Sequence, residues 1–379
     1  MSRDAVGLDG LKTLREELLW FVSELRVDGQ PGRYGPCRDG AVRAGREAGL
    51  GFSCFAKKIL DAIGGWEGLD ESERSAWMGY IRSFQVDSSA VLSDGERMDG
   101  MFVDPGLLAA LPETGNTWRE RLRRHLRGWS ALPPREDAML AETKQAIATL
   151  AWSGVSPRRP FGGFPCRQEA LLARLRSLDW SRPWSAGAKS AWLAVFIQTQ
   201  GPLLAGVDTS ALRESMIGFL KGLLDPETGG YFRASGVPPR GQLINGAMKV
   251  LNALEWLDEP IHQPQRLIDT CLLQGPPPAG CHVVDWVYVV HRCLRQTDHR
   301  RGEVRARLLE VLALIRTHRT PDRGFAYMPG RAQTGYYGAL ISRGLNEGDL
   351  HGTCLLTWAI AMIVETAELD LPGWKTFRA

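Results

Sequence analysis

The 379-residue chain has no long hydrophobic run. Its apolar stretches, such as Ala359 to Val364, fall far short of the roughly 20 residues needed to span a bilayer. The N-terminus lacks the basic, apolar and small-residue sections of a secretory signal, so a soluble cytoplasmic protein is expected. Neither sign of charge dominates: 46 Lys and Arg stand against 43 Asp and Glu, a net charge of +3. Bulk electrostatics therefore gives no case for nucleic acid as a partner. Paired cysteines are missing as well. The seven cysteines lie at 37, 54, 166, 271, 281, 293 and 354, an odd number with no CxxC. That pattern argues against a disulfide framework and against a zinc ribbon. There is no Walker motif, Rossmann fingerprint, GxSxG or HExxH, and strand signals are scarce.

What the chain does have is tryptophan, thirteen in all, and helical periodicity almost throughout. Tryptophan is costly to place unless it packs a core or lines a cavity. The pattern predicts helices over 7–27, 46–65, 70–85, 116–130, 140–153, 165–178, 186–200, 209–225, 240–257, 263–273, 280–295, 301–319 and 347–368. They are of two kinds. "ALRESMIGFLKGLLD" and "GEVRARLLEVLALIRTH" are amphipathic, whereas "SAWLAVFIQ", "HVVDWVYVVHRC" and "GTCLLTWAIAMIV" are apolar nearly all round. A helix that is hydrophobic on every side is buried on every side. Alternation of the two kinds predicts an all-α fold with two concentric rings, an (α/α)6 toroid. The predicted inner helices are 46–65, 140–153, 186–200, 240–257, 280–295 and 347–368. A single domain over 1–379 is expected, least regular over 66–139. Gly-aromatic turns at 160–166, 225–234 and 321–330 mark the junctions.

The stretch "LLDPETGGYF…GQLINGAMKVLNALEWL" resembles the repeats of the α/α-toroid superfamily that holds terpene cyclases and protein prenyltransferase β-subunits. In those repeats an outer helix, a Gly-Gly-aromatic turn and an apolar inner helix follow one another. The resemblance covers about residues 140–368 and implies the toroid. The "DLHGTC" run, 349–354, is similar to the Asp-x-x-His-Thr run at the zinc site of the prenyltransferase subunits, with Gly352 standing between His351 and Thr353. No metal is expected from the residues themselves; the resemblance implies zinc as the alternative, with Cys281, Asp285, His351 and Cys354 as candidate ligands. Glycan enzymes, among them epimerases and unsaturated-uronide hydrolases, use the same barrel, so fold leaves the function open.

Polar residues on the apolar inner helices are the informative ones. Gln242, Asn245, Lys249 and Asn252 recur at i, i+3, i+7 and i+10 and form one stripe, and Glu142, Gln145 and Thr149 repeat the spacing. A buried neutral polar group without partners costs about 2–7 kcal/mol, so these stripes face either a wet cavity or one another. Asp285, set among Val283, Val284, Trp286 and Val287, is the candidate general acid. Burial would raise its pKa, while a nearby Lys249 would lower it. Asp349 reads as a helix N-cap. His351, Cys354 and Trp358 then form one stripe on the last inner helix, with His351 the second catalytic candidate. Trp184 and Lys189 fall at an inner-helix mouth, Trp286 beside Asp285, and Tyr336 and Tyr337 in a glycine-rich loop suited to a lid or rim. The basic run 119–127 reads as solvated surface, or as an anion-binding face.

Three functions remain open on these residues. The resemblance implies an enzyme for a lipid-like, isoprenoid substrate, although DxDD and DDxxD are both absent. The alternative is a carbohydrate-active enzyme, an epimerase, hydrolase or lyase acting on a glycan. The third is a non-catalytic scaffold whose polar stripes only fix packing. The cavity discriminates between them: aromatic and aliphatic walls suit isoprenoids, Trp with carboxylates suits sugars, and a plugged barrel suits the scaffold.

Overall fold

The computed structural model describes residues 9–88, 90, 92, 97–111, 134–276 and 280–378. Fourteen α-helices run through the described residues: α1 (Asp9–Glu24), α2 (Arg43–Glu47), α3 (Leu50–Ala62), α4 (Glu71–Ser83), α5 (Pro105–Ala109), α6 (Pro134–Trp152), α7 (Gln168–Arg176), α8 (Pro183–Thr199), α9 (Thr209–Lys221), α10 (Arg240–Trp256), α11 (Pro264–Gln274), α12 (Cys281–Leu294), α13 (Arg301–Arg316) and α14 (Leu350–Thr366). Two short strands, β1 (Gly335–Tyr336) and β2 (Ala339–Leu340), form a hairpin. The helix expected at 116–130, with its basic run, lies outside the described residues.

Six helices close an inner ring. In order round it, α3 packs on α6, α6 on α8, α8 on α10, α10 on α12, α12 on α14, and α14 back on α3. The fold is the expected (α/α)6 toroid, and all six inner helices are those named by their apolar sequence. Burial separates the two rings. In α14, Leu350 and every residue from Gly352 to Val364 except Leu355 are buried, while α13 outside it buries only Val304, Leu308, Val311, Leu312 and Ile315. Those five recur at i, i+4, i+7, i+8 and i+11, the single stripe of a half-buried helix.

Local chemistry sets the ends of these helices. Asp70, Asp208 and Asp349 cap α4, α9 and α14 through backbone N–H groups of the first turn. Asp104 caps two helices at once. Its Oδ1 accepts from Gly106 and Leu107 in α5, and its Oδ2 accepts from Gly49 and Leu50 at the start of α3. Between α8 and α10, Gly187 and Gly246 allow the closest approach: a Cβ on Gly246 would lie 2.7 Å from Pro183.

The C-terminal segment lies across one end of the ring. Lys375 N–H donates to Ala62 at the end of α3, Thr376 Oγ1 to Glu365 in α14, and Arg378 to Asp258 just beyond α10. Phe377 is buried and stacks on Trp358 with ring centroids 5.1 Å apart. This end is closed. The other end, where the inner helices begin, lies beneath the loop 325–349.

Candidate functional site

The loop 325–349 is held down by Asp349. Besides capping α14 through Gly352 N–H at 2.7 Å, its carboxylate accepts from Tyr327 N–H at 2.7 Å and Gln333 N–H at 3.0 Å. Gln333 then presents its Oε1 to His351 Nδ1 at 2.8 Å. Gly352 is required here because a Cβ would run into the backbone of Tyr327. The capping role expected for Asp349 is therefore seen, with a wider consequence: it fixes the loop and, through Gln333, the orientation of His351. Burial raises the Asp349 pKa to about 6. Glu347 ties the same loop to the N-terminal segment by accepting from Asp39 and Gly40, each at 2.7 Å.

His351 sits between two rings, Phe55 at 4.6 Å and Tyr327 at 5.5 Å. Burial, with the charges of Lys249 and Lys58, pushes its pKa down to about 3. It is a neutral imidazole at ordinary pH and a weak base, suited to hydrogen-bond a ligand and unsuited to serve as a cation. Tyr336, buried beside it, donates to Glu142 Oε1. Gly51 makes that contact possible, since a Cβ there would collide with the Tyr336 hydroxyl. Burial lifts the Glu142 pKa to about 8, and its Oε2 has no partner. Tyr337 and Gly338 turn the hairpin with φ of 47° and 94°. A two-residue turn positive at both positions has the hand that suits a hairpin. It leaves the Tyr337 side chain 40% exposed at the rim.

Across the ring, Asp285 is buried, with Oδ1 4.0 Å from Lys249 Nζ and Oδ2 without a partner. Burial raises its pKa, and Lys249 and His282 pull it down, as the sequence led us to expect. His282 pairs with Asn245 and lies 5.7 Å from the Trp184 ring. Gln242 accepts from Trp184 N–H at 3.2 Å. Trp184, Gln242, Lys249, Cys281, His282 and His351 are all partly exposed although they stand on inner helices. Solvent reaches the axis through the mouth.

Not every candidate converges. Trp286 is fully buried and its Nε1 donates to Cys271 in α11, so it faces the outer ring and lines no cavity. The sequence put it beside Asp285, but adjacent helix positions point about 100° apart. Lys189 turns to the α6–α8 seam, 3.9 Å from Asp137, where it borders a shallow side cleft with Phe164 and Trp192. Asn252 is buried and bonds Tyr288, so the stripe of α10 is cavity-lining only in part. Cys281 bonds the Tyr327 hydroxyl, and burial lifts the Cys354 pKa to about 12. Among the described residues no three His, Cys, Asp or Glu side chains converge as metal ligands, so the zinc expectation finds no built site there.

The sequence reading missed Lys58 and Lys144. Lys58 Nζ, buried on α3, donates to Gln145 Oε1 at 3.3 Å and lies 5.8 Å from the Phe377 ring. The charges of Lys58 and Lys249 both reach Lys144 on α6. Since α3 and α10 stand opposite each other in the ring, the space these groups share is its axis. A signal was available: five of the eight lysines, 57, 58, 144, 189 and 249, fall on inner helices, while the arginines are mostly elsewhere.

No family model matches the chain, and no curated protein matches it. Among solved structures it is similar to an inactive variant of the alpha-1,6-mannanase GH76A of Salegentibacter sp. HEL1_6 in complex with alpha-1,6-mannotetrose. The identity is 12% and the TM-score 0.44, over 94% of this chain and 98% of that one. It is also similar to a polysaccharide lyase, with 11% identity and a TM-score of 0.43 over 94% and 98%. A possible member of the GH105 family from Salmonella enterica serovar Paratyphi A is 14% identical, with a TM-score of 0.39 over 95% and 94%.

Proposed function

We propose that the chain is a carbohydrate-active enzyme that takes a glycan into the axis of the ring through the mouth beneath 325–349. One observation carries this reading: the solvent-reached wall is polar. Gln242, Lys249 and His282 are partly exposed, and Asp285 and Glu142 each hold out an oxygen with no partner. A hydrocarbon in that space would leave the free oxygens of Asp285 and Glu142 unpaired, at about 2–7 kcal/mol for each neutral group. A sugar would pair them with its hydroxyls and could stack on the aromatic rings at the mouth. This disfavours the isoprenoid expectation. The scaffold reading gives no use to the partnerless oxygens of Asp285 and Glu142 on the inner helices.

In this reading Asp285 is the general acid. Its buried carboxyl favours the protonated form, and its free Oδ2 can deliver the proton to a leaving oxygen. Lys249 returns it to the ionised state by stabilising the carboxylate. Glu142, held by Tyr336, is a second protonatable carboxyl, and neutral His351 can hydrogen-bond the sugar. Such a set suits hydrolysis or elimination at a glycosidic bond. The test is tryptophan fluorescence titrated with a panel of neutral and acidic oligosaccharides and with farnesyl diphosphate. Saturable binding of an oligosaccharide and none of the diphosphate is expected. The reverse would overturn the reading.

A further inference from the structure

The carboxylates around the floor of the ring are already matched one to one. Lys57 pairs with Asp61 at 2.5 Å and Arg292 with Glu255 at 2.9 Å. Glu255 also takes the Tyr288 hydroxyl at 2.7 Å. Lys58 and Lys144 are left over. Lys58, 7% exposed, has only the 3.3 Å bond to Gln145, and Lys144 makes no hydrogen bond or ion pair among the described residues. The neutral groups beside them are short of acceptors too. Gln145 Nε2 is a buried donor with no partner, and so is Nε1 of Trp358, whose ring stacks on Phe377 near Lys58. Two lysine amines and two N–H donors are thus left short of acceptors around the closed end of the axis.

Water could meet the N–H donors and screen the lysines, but only an anion would offset their like charges directly. We propose that the floor of the ring is an anion seat, in which Lys58, Lys144, Gln145 and Trp358 hold an oxyanion carried by the ligand: a carboxylate, sulfate or phosphate group on the sugar. The proposal deepens the glycan reading and rests on it only for the molecule that carries the anion. Burial, joined at Lys144 by the charges of Lys58 and Lys249, holds both amines below their usual range, a cost that a bound oxyanion would relieve. It would also set polarity: the charged residue goes to the floor, and the bond to be broken lies nearer the mouth, by Asp285.

The full chain is titrated with sodium glucuronate, sulfate and phosphate, with sodium chloride at matched ionic strength as reference, and the melting temperature is followed. Lys144→Met and Lys58→Met are run alongside. Each removes a buried amine without shortening the side chain much, so both are expected to fold with an unchanged or higher melting temperature in chloride. The wild type should be stabilised in a saturable way by at least one oxyanion, with affinity falling about tenfold or more in either variant. The ion that saturates at the lowest concentration identifies the class: a uronide, a sulfated glycan or a phosphorylated one. Equal responses of wild type and both variants to all three ions would overturn the proposal. Saturable anion binding without oligosaccharide binding would sink the glycan reading and spare the seat. Binding of neutral oligosaccharides with no anion effect would do the opposite.

Discussion

The two ends of the ring axis are built on opposite terms. At the mouth, polar side chains are held by loop backbone: Asp349 by three N–H groups, Glu347 by two, and His351 through Gln333. At the floor, Lys144 is held by nothing and Lys58 by one long bond. The loop over the mouth is satisfied without a ligand, and the floor is not. A group whose partners are all inside the protein is there to hold geometry. One whose partners are missing is available to something else. Substitution should therefore cost stability in the loop over the mouth and binding at the floor.

The largest effect is expected from Asp349→Ala, which strands the N–H groups of Gly352, Tyr327 and Gln333 together. Unpaired buried donors cost about 1–3 kcal/mol each, so chemical denaturation should show a loss of at least about 3 kcal/mol. A loss near zero would mean that the loop is not pinned by this residue. Gly51→Ala should come next. Its methyl group displaces Tyr336 from Glu142, and a cost of about 1–3 kcal/mol is expected by the same measurement.

Glu142→Gln sharpens the contrast through pH. With a folded pKa of about 8, above the unfolded carboxylate range, Glu142 keeps its proton in the fold after the unfolded chain has lost it. Stability is therefore unaffected below the unfolded pKa, falls as pH rises from there to about 8, and then levels off. The Gln variant should lack that fall, matching wild type near pH 4 and exceeding it near pH 8. His351 works the other way: with its pKa at about 3, stability is fully present above the unfolded histidine value and is lost as pH falls toward 3. Its ring should show no titration near pH 6.5 by NMR. The smallest effect is at the floor, where Lys144→Met should leave stability within about 0.5 kcal/mol of wild type or raise it.

The ring was legible because its signal is large. An inner helix such as α14 is apolar around its whole circumference, and no other arrangement of these segments buries six such helices. The site was legible only in part. Asp285 and Lys249 could be paired from the expected neighbourhood of α10 and α12. Lys58 and Lys144 could not, because their meeting depends on α3 and α10 facing each other across the axis, a fact of closure that no local window contains. Trp286 and Lys189 went astray for a related reason. A stripe read from helix spacing says that residues share a face but not which face looks inward. Gly51 was silent in the sequence, since its role is the space it leaves for Tyr336.

The account stands most directly on Asp285. The decisive measurement incubates wild type and Asp285→Asn with an oligosaccharide panel and follows the products by mass spectrometry, with melting temperatures taken in parallel. We expect the wild type to convert at least one glycan. The variant should fold with an equal or higher melting temperature, bind the same glycan and leave it unchanged. Turnover by Asp285→Asn at the wild-type rate would contradict the assignment of the acid, and with it the chemistry placed at the mouth of the ring.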